Sequence, residues 1–146
     1  MITLQECLTR FGQPGSKQEG QWMTLWDVPA DLEQAFVACL FFPGRLYCNK
    51  AIIAPLDAAF RLLIARGLAS ELVEWGGCYN FRAQRGATSL SLHSWGIAVD
   101  VNPKTNALGK TPTLSAAFVA CFKEVGFDWG GDWKRRDGMH FQLARI

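Results

Sequence analysis

Long apolar runs are missing from this chain. The longest, Ala35 to Phe42, stops at Pro43-Gly44 and falls far short of the roughly 18 apolar residues a membrane helix needs. A secretory signal is missing too: Met1-Ile2-Thr3-Leu4-Gln5-Glu6-Cys7 has neither a basic start nor an apolar stretch behind it. The expectation is synthesis in the cytoplasm, with any substrate outside the cell reached by a separate release step. Charge of one sign is scarce, since 15 Lys+Arg against 13 Asp+Glu leave a net +2 and a pI near 8.3. Such mild basicity suits an anionic polymer without naming a nucleic acid. The basic run Lys134-Arg135-Arg136 is too short for a nucleic-acid patch; a solvated loop is its default reading.

Cysteines are few and badly spaced for chemistry. Cys7, Cys39, Cys48, Cys78 and Cys121 are odd in number with no CxxC pair, which argues against a disulfide framework and against a thiolate metal site. Cys39 and Cys121 lie in apolar runs and read as small buried hydrophobes. Histidine is scarcer still. Only His93 and His140 are present, so any imidazole chemistry has to use one or both.

What is present fits one domain over 1–146, with residues 1–48 the less diagnostic part and 49–146 the core. Leu4 to Phe11 is a short amphipathic start, and 12–20 is a loop by composition. Trp22, Leu25 and Trp26 are core anchors or, less favoured, a sugar-stacking surface. Residues 31–42 fit helix or strand, because periodicity does not decide a short apolar run. Pro55 suits the first turn of a helix whose Leu56, Ala59, Phe60, Leu63 and Ile64 form one apolar face, ended by Gly67. Val73 and Trp75 begin a strand leading through Gly76-Gly77 to Arg82, whose side chain either enters a cleft or lies on the surface near Arg85. Thr113 is placed to cap a second helix with an apolar stripe of Leu114, Ala117, Phe118, Cys121, Phe122 and Val125, closed by Gly126. In Phe127-Asp128-Trp129-Gly130-Gly131-Asp132-Trp133 the glycines permit a tight turn, and the tryptophans wall a cleft or simply pack.

The most informative stretch is Ser91 to Asn102. Ile97, Val99 and Val101 alternate with Ala98, Asp100 and Asn102, the period of a half-buried strand, so Asp100 points away from the apolar layer. In Asp137-Gly138-Met139-His140-Phe141-Gln142-Leu143, Phe141 and Leu143 take the core side and His140 and Gln142 the other. Adjacent in one sheet, the two strands aim Asp100 and His140 at a common point, and the turn before Gly96 delivers His93. Taken singly, each residue is more often a hydrogen-bonded core group or a turn capper. Together, two nitrogens and one carboxylate oxygen leave the fourth tetrahedral place for water, as in a catalytic zinc site.

The pattern SxHxxGxAxD, followed by WGGDW and DxxHFQ, resembles the zinc peptidases that cut bacterial peptidoglycan stems: D-alanyl-D-alanine carboxypeptidases, VanY- and VanX-like enzymes, and L-alanyl-D-glutamate endopeptidases of phage endolysins. The likeness runs from about Asn49 to the end. It implies Zn2+ on His93, Asp100 and His140, with Asp137 as general base and Arg82 steadying the scissile carbonyl. It places Ser91 near the substrate. It also implies an endolysin-type endopeptidase first and a D-alanyl-D-alanine carboxypeptidase second, a monomer released by a holin or carried in a virion, with no nucleic acid among its partners. A noncatalytic zinc module is the other class, because signalling domains of the Hedgehog type resemble this fold; Asp137 argues against it. The expected fold class is α+β, a small antiparallel sheet with helices on one face and the cleft on the other.

Overall fold

The computed structural model describes residues 1–82, 84, 86 and 88–146; Arg85, the neighbour weighed for Arg82, lies outside them. The fold is α+β. Helices α1 (Leu4–Phe11) and α2 (Glu19–Trp22) precede strand β1 (Met23–Asp27), helix α3 (Ala30–Ala35) and strand β2 (Arg45–Asn49). Then come α4 (Lys50–Ala65), β3 (Trp75–Gly77), β4 (Ala98–Val101), α5 (Ala116–Glu124), β5 (Phe127–Trp129) and β6 (His140–Leu143). Strands β1 and β2 pair antiparallel, and the other four form an antiparallel sheet ordered β3-β4-β6-β5. No helix of the described residues is long and apolar enough to cross a membrane.

Helix α4 begins ahead of the expected start, with Pro55 inside it. The reason is Asn49, whose side chain accepts from the Ala51 N–H at 3.0 Å and caps the helix early. Ile52 thereby joins Leu56, Ala59, Phe60 and Leu63 on the buried face, whereas Ile64 stays at its exposed edge. Helix α5 is likewise capped by Ser115, not Thr113. Glu71 fixes Ser115 by accepting from its N–H at 2.6 Å and its hydroxyl at 2.7 Å. Thr113 is instead engaged by Asn106, which accepts from its N–H and donates to its hydroxyl. On α5 the buried stripe includes Val119, while Ala117 is exposed.

Phe141 of β6 stacks on Phe122 of α5, ring centroids 4.3 Å apart. Side chains alternate along a strand, so His140 and Gln142 face away from that helix layer. Strand β3 is shorter than expected and ends at Gly77, leaving Arg82 in irregular chain beyond it. Residues 31–42 resolve into α3 and a non-helical continuation in which Leu40 bridges Glu74. Trp22 and Trp26 pack partly buried on the core, as the anchor reading requires, but Leu25 is 58% exposed. All five cysteines are free and buried. Burial pushes the Cys7 and Cys48 thiols up to about 12, which makes them poor nucleophiles.

Candidate metal centre

Asp100 and His140 are direct partners in the β4–β6 register. Opposite residues of an antiparallel pair project to the same side, so strand pairing alone brings them together. Gly76 of β3 crosses beside Asp100 so closely that a Cβ there would lie 2.9 Å from the Asp100 Cβ and carbonyl oxygen. His93 arrives on a 3-10 turn, Leu92–Trp95. Ser91 caps the turn by accepting from the His93 N–H. Gly96 ends it at φ 64°, a conformation costly for other residues, with a would-be Cβ only 2.8 Å from the Asn49 nitrogen.

Sequence reasoning passed over Asn49 as a site residue, yet it holds this turn. Besides capping α4, its side chain donates to the Trp95 carbonyl at 3.1 Å and its N–H to the Gly96 carbonyl at 3.1 Å. The Trp95 indole in turn donates to the Gly12 carbonyl at 2.9 Å, tying α1 to the turn. The visible signal for Asn49 was an asparagine just before a helix; its reach to residue 95 had none.

The three side chains converge. His93 Nε2 lies 3.2 Å from Asp100 Oδ1 and 3.2 Å from His140 Nδ1, and His140 Nδ1 lies 3.5 Å from Asp100 Oδ1. Hydrogen-bond partners fix what these atoms offer. The Cys78 carbonyl can only accept, so His93 Nδ1, 2.6 Å away, carries a hydrogen and the neutral ring turns its lone pair on Nε2 inward. His140 Nε2 donates to Gln142 Oε1 at 3.0 Å, leaving a lone pair on Nδ1. Two nitrogen lone pairs and a carboxylate oxygen therefore face one another, an arrangement that could hold a cation among them. The spacing matches one. A tetrahedron whose vertices sit about 2.0–2.1 Å from its centre, the usual zinc–ligand length, has edges of about 3.3–3.4 Å.

In the ion-free protein burial pushes the Asp100 carboxyl up, but where the inward nitrogens of His140 and His93 carry a proton in place of the ion they donate to it, outweigh burial and hold the group well below the usual carboxylate range. A depressed folded-state pKa contributes stability that is present above the unfolded value, about 3.9, and lost as pH falls through the folded one. Chelator-treated protein is therefore expected to lose stability below about pH 4. Urea melts from pH 6 to 3 should show a shallower acid loss for Asp100→Asn.

The remaining expected residues share one cleft. A cavity of about 370 Å³ is lined by Arg82, Ser91, Asp100, Trp133, Asp137 and His140 among others. The backbone of Arg82 is set by the turn that carries His93: its N–H donates to Ser94 Oγ at 3.2 Å and its carbonyl accepts from the Ser91 N–H at 3.0 Å. Asp137 sits on the loop entering β6, where its N–H donates to the Gly130 carbonyl and its own carbonyl accepts from the His140 N–H. Gly130 admits this crossing because it lacks a side chain; a Cβ there would strike the Asp137 carbonyl. Trp133 stands 5.2 Å from the His140 ring, as a cleft wall, while Trp129 packs on Phe141 and donates to the Gly138 carbonyl. Ile2 and Leu4 line the cleft as well. The sequence offered nothing to place α1 there, since that contact depends on the Trp95–Gly12 bond.

Fold and site together define a candidate mononuclear metal centre in a cleft large enough for a short peptide. Residues 85–143, which carry all three converging side chains and Asp137, match the family model described as D-alanyl-D-alanine carboxypeptidase. That stretch of the chain is similar to this family of peptidases. Arg82 and the α1 wall lie outside the matched segment.

Proposed function

We propose that the protein is a zinc-dependent hydrolase of peptidoglycan stem peptides, acting as an L-alanyl-D-glutamate endopeptidase of the endolysin type. The observation that carries the metal reading is the inward convergence of His93 Nε2, His140 Nδ1 and Asp100 Oδ1 within 3.5 Å. These three residues would hold the ion. When bound, zinc supplies Lewis-acid chemistry that polarises a carbonyl and makes water acidic enough to attack near neutral pH.

The protein's own groups do the rest. Hydrogen bonds to Cys78 and Gln142 fix both imidazoles in the ligating tautomer. Asp137, on the cleft wall, accepts the proton of the attacking water and returns it to the departing amine. Arg82 offers a guanidinium to the carbonyl oxygen as negative charge develops on it. Ser91, at the cleft floor beside His93, orients the peptide.

The terminal His140-Phe141-Gln142 after Trp129-Gly130-Gly131-Asp132-Trp133 favours the endopeptidase. The description of the matched family favours a D-alanyl-D-alanine carboxypeptidase as the second reading. Mass spectrometry of products from purified peptidoglycan separates them, because new N-terminal D-glutamate means the first and free D-alanine the second. A protein that carries stoichiometric zinc and releases neither would be a noncatalytic module.

The cleft wall contributed by α1 gives a further expectation. Leu4 is part-buried and lines the cavity, so Leu4→Ala should raise KM about three- to tenfold with kcat within twofold, the mark of lost apolar substrate contact. Steady-state kinetics on a soluble stem peptide would check it.

A further inference from the structure

Beside the catalytic cleft lies a second, open concavity of about 600 Å³, lined by Gly109, Lys110, Thr111, Lys134, Arg135 and Arg136. Two loops build it, and the Gly109 N–H donating to the Arg136 carbonyl at 2.7 Å holds them side by side. Arg135 lines both this groove and the catalytic cleft, so the two spaces meet at one side chain.

Arg45, Arg61, Arg66, Lys104 and Lys123 are each matched by a carboxylate. Among the described residues Lys110, Lys134 and Arg136 enter no such pair. Arg10, Lys17, Lys50 and Arg145 also enter no ion pair among the described residues, but the cations of this groove are gathered in one concavity. The acid just ahead of the run, Asp132, is already engaged by Lys123. Like charges gathered in one concavity repel one another and focus a positive potential there, which a ligand carrying several anionic groups would relieve.

We infer that this groove is an anion-binding exosite, in which Lys110, Lys134 and Arg136 hold carboxylates of the peptidoglycan chain beyond the peptide seated in the cleft. The inference rests on the proposed function for its substrate class. The groove shares Arg135 with that cleft, so one polymer seated in the cleft can reach it. Carboxylates are the anions that polymer itself carries, whereas phosphate comes only from polymers attached to it.

The test is co-sedimentation of the full chain with insoluble peptidoglycan stripped of phosphate-bearing polymers, run beside hydrolysis of a short soluble stem peptide. Wild-type binding should weaken as salt rises, and the triple variant K110E/K134E/R136E should bind at least about tenfold more weakly. Cleavage of the soluble peptide should stay within about twofold, because these three side chains lie outside the catalytic cleft. The neutral triple variant K110Q/K134Q/R136Q should fall between, and it keeps the test alive if charge reversal impairs folding. Amidating the carboxylates of the stripped polymer should abolish wild-type binding. Unchanged binding by both variants, or binding that disappears when phosphate is stripped, would overturn the exosite. Equal binding to nucleic acid of matched charge would do so as well. Sedimentation needs no cleavage, so a chain that binds through these residues yet cuts nothing would sink the proposed hydrolase and leave the exosite standing.

Discussion

His93→Ala is expected to abolish stoichiometric zinc binding and to lower peptidoglycan cleavage by more than about a thousandfold, since the several kcal/mol supplied by the ion are lost with it. The geometry explains why one deletion has so large an effect. His93 Nε2 is the vertex nearest to both other donors, at 3.2 Å from each. Without it Asp100 and His140 remain as two donors on neighbouring strands, too few for a tight site. The ring is 2% exposed, so its loss also leaves a void, and melting of ion-free wild type and variant would isolate that cost. Elemental analysis and product release, measured together, check the prediction. A variant that retains both zinc and turnover would remove His93 from the site.

Asp137→Asn separates chemistry from metal binding. The carboxylate is assigned to proton transfer, so turnover should fall about a hundred- to ten-thousandfold while zinc content stays at the wild-type level. Asparagine keeps the shape of the loop. The backbone bonds to Gly130 and His140 do not depend on the side chain, so His140 should hold its place. The loss should appear in kcat more than in KM, because proton transfer matters only in the transition state. Parallel loss of zinc would make Asp137 a structural support of the ligand loop instead.

The contrast between these variants follows from what was legible in the sequence. Strand phase was readable because side chains alternate with a fixed period, and it placed Asp100 and His140 on one face; their cross-strand pairing brings them together. The apolar spacing of α4 and α5 was readable for the same reason, whereas both starting points were misread. Helix starts are decided by capping side chains, and Asn49 and Ser115 are held by the distant residues Trp95 and Glu71. Arg82 was expected directly after a strand, but β3 ends at Gly77 and the register shifts between Trp75 and Gly77. The support of the site was the least visible part. The Cys78 carbonyl that orients His93 is a backbone atom common to every residue type. Gln142 could have been found, because it shares a strand face with His140 two positions earlier.

The pairing of β4 with β6 also bears on how the protein matures. A slip of one residue in that ladder would turn one donor to the opposite side of the sheet and dissolve the cage. His140 reaches the site through its pairing with Asp100, so a partly folded molecule in which β6 is not yet paired can offer at most His93 and Asp100. A complete ligand set would then require the β4–β6 pairing, and zinc added during refolding would act as a latch on that pair of strands.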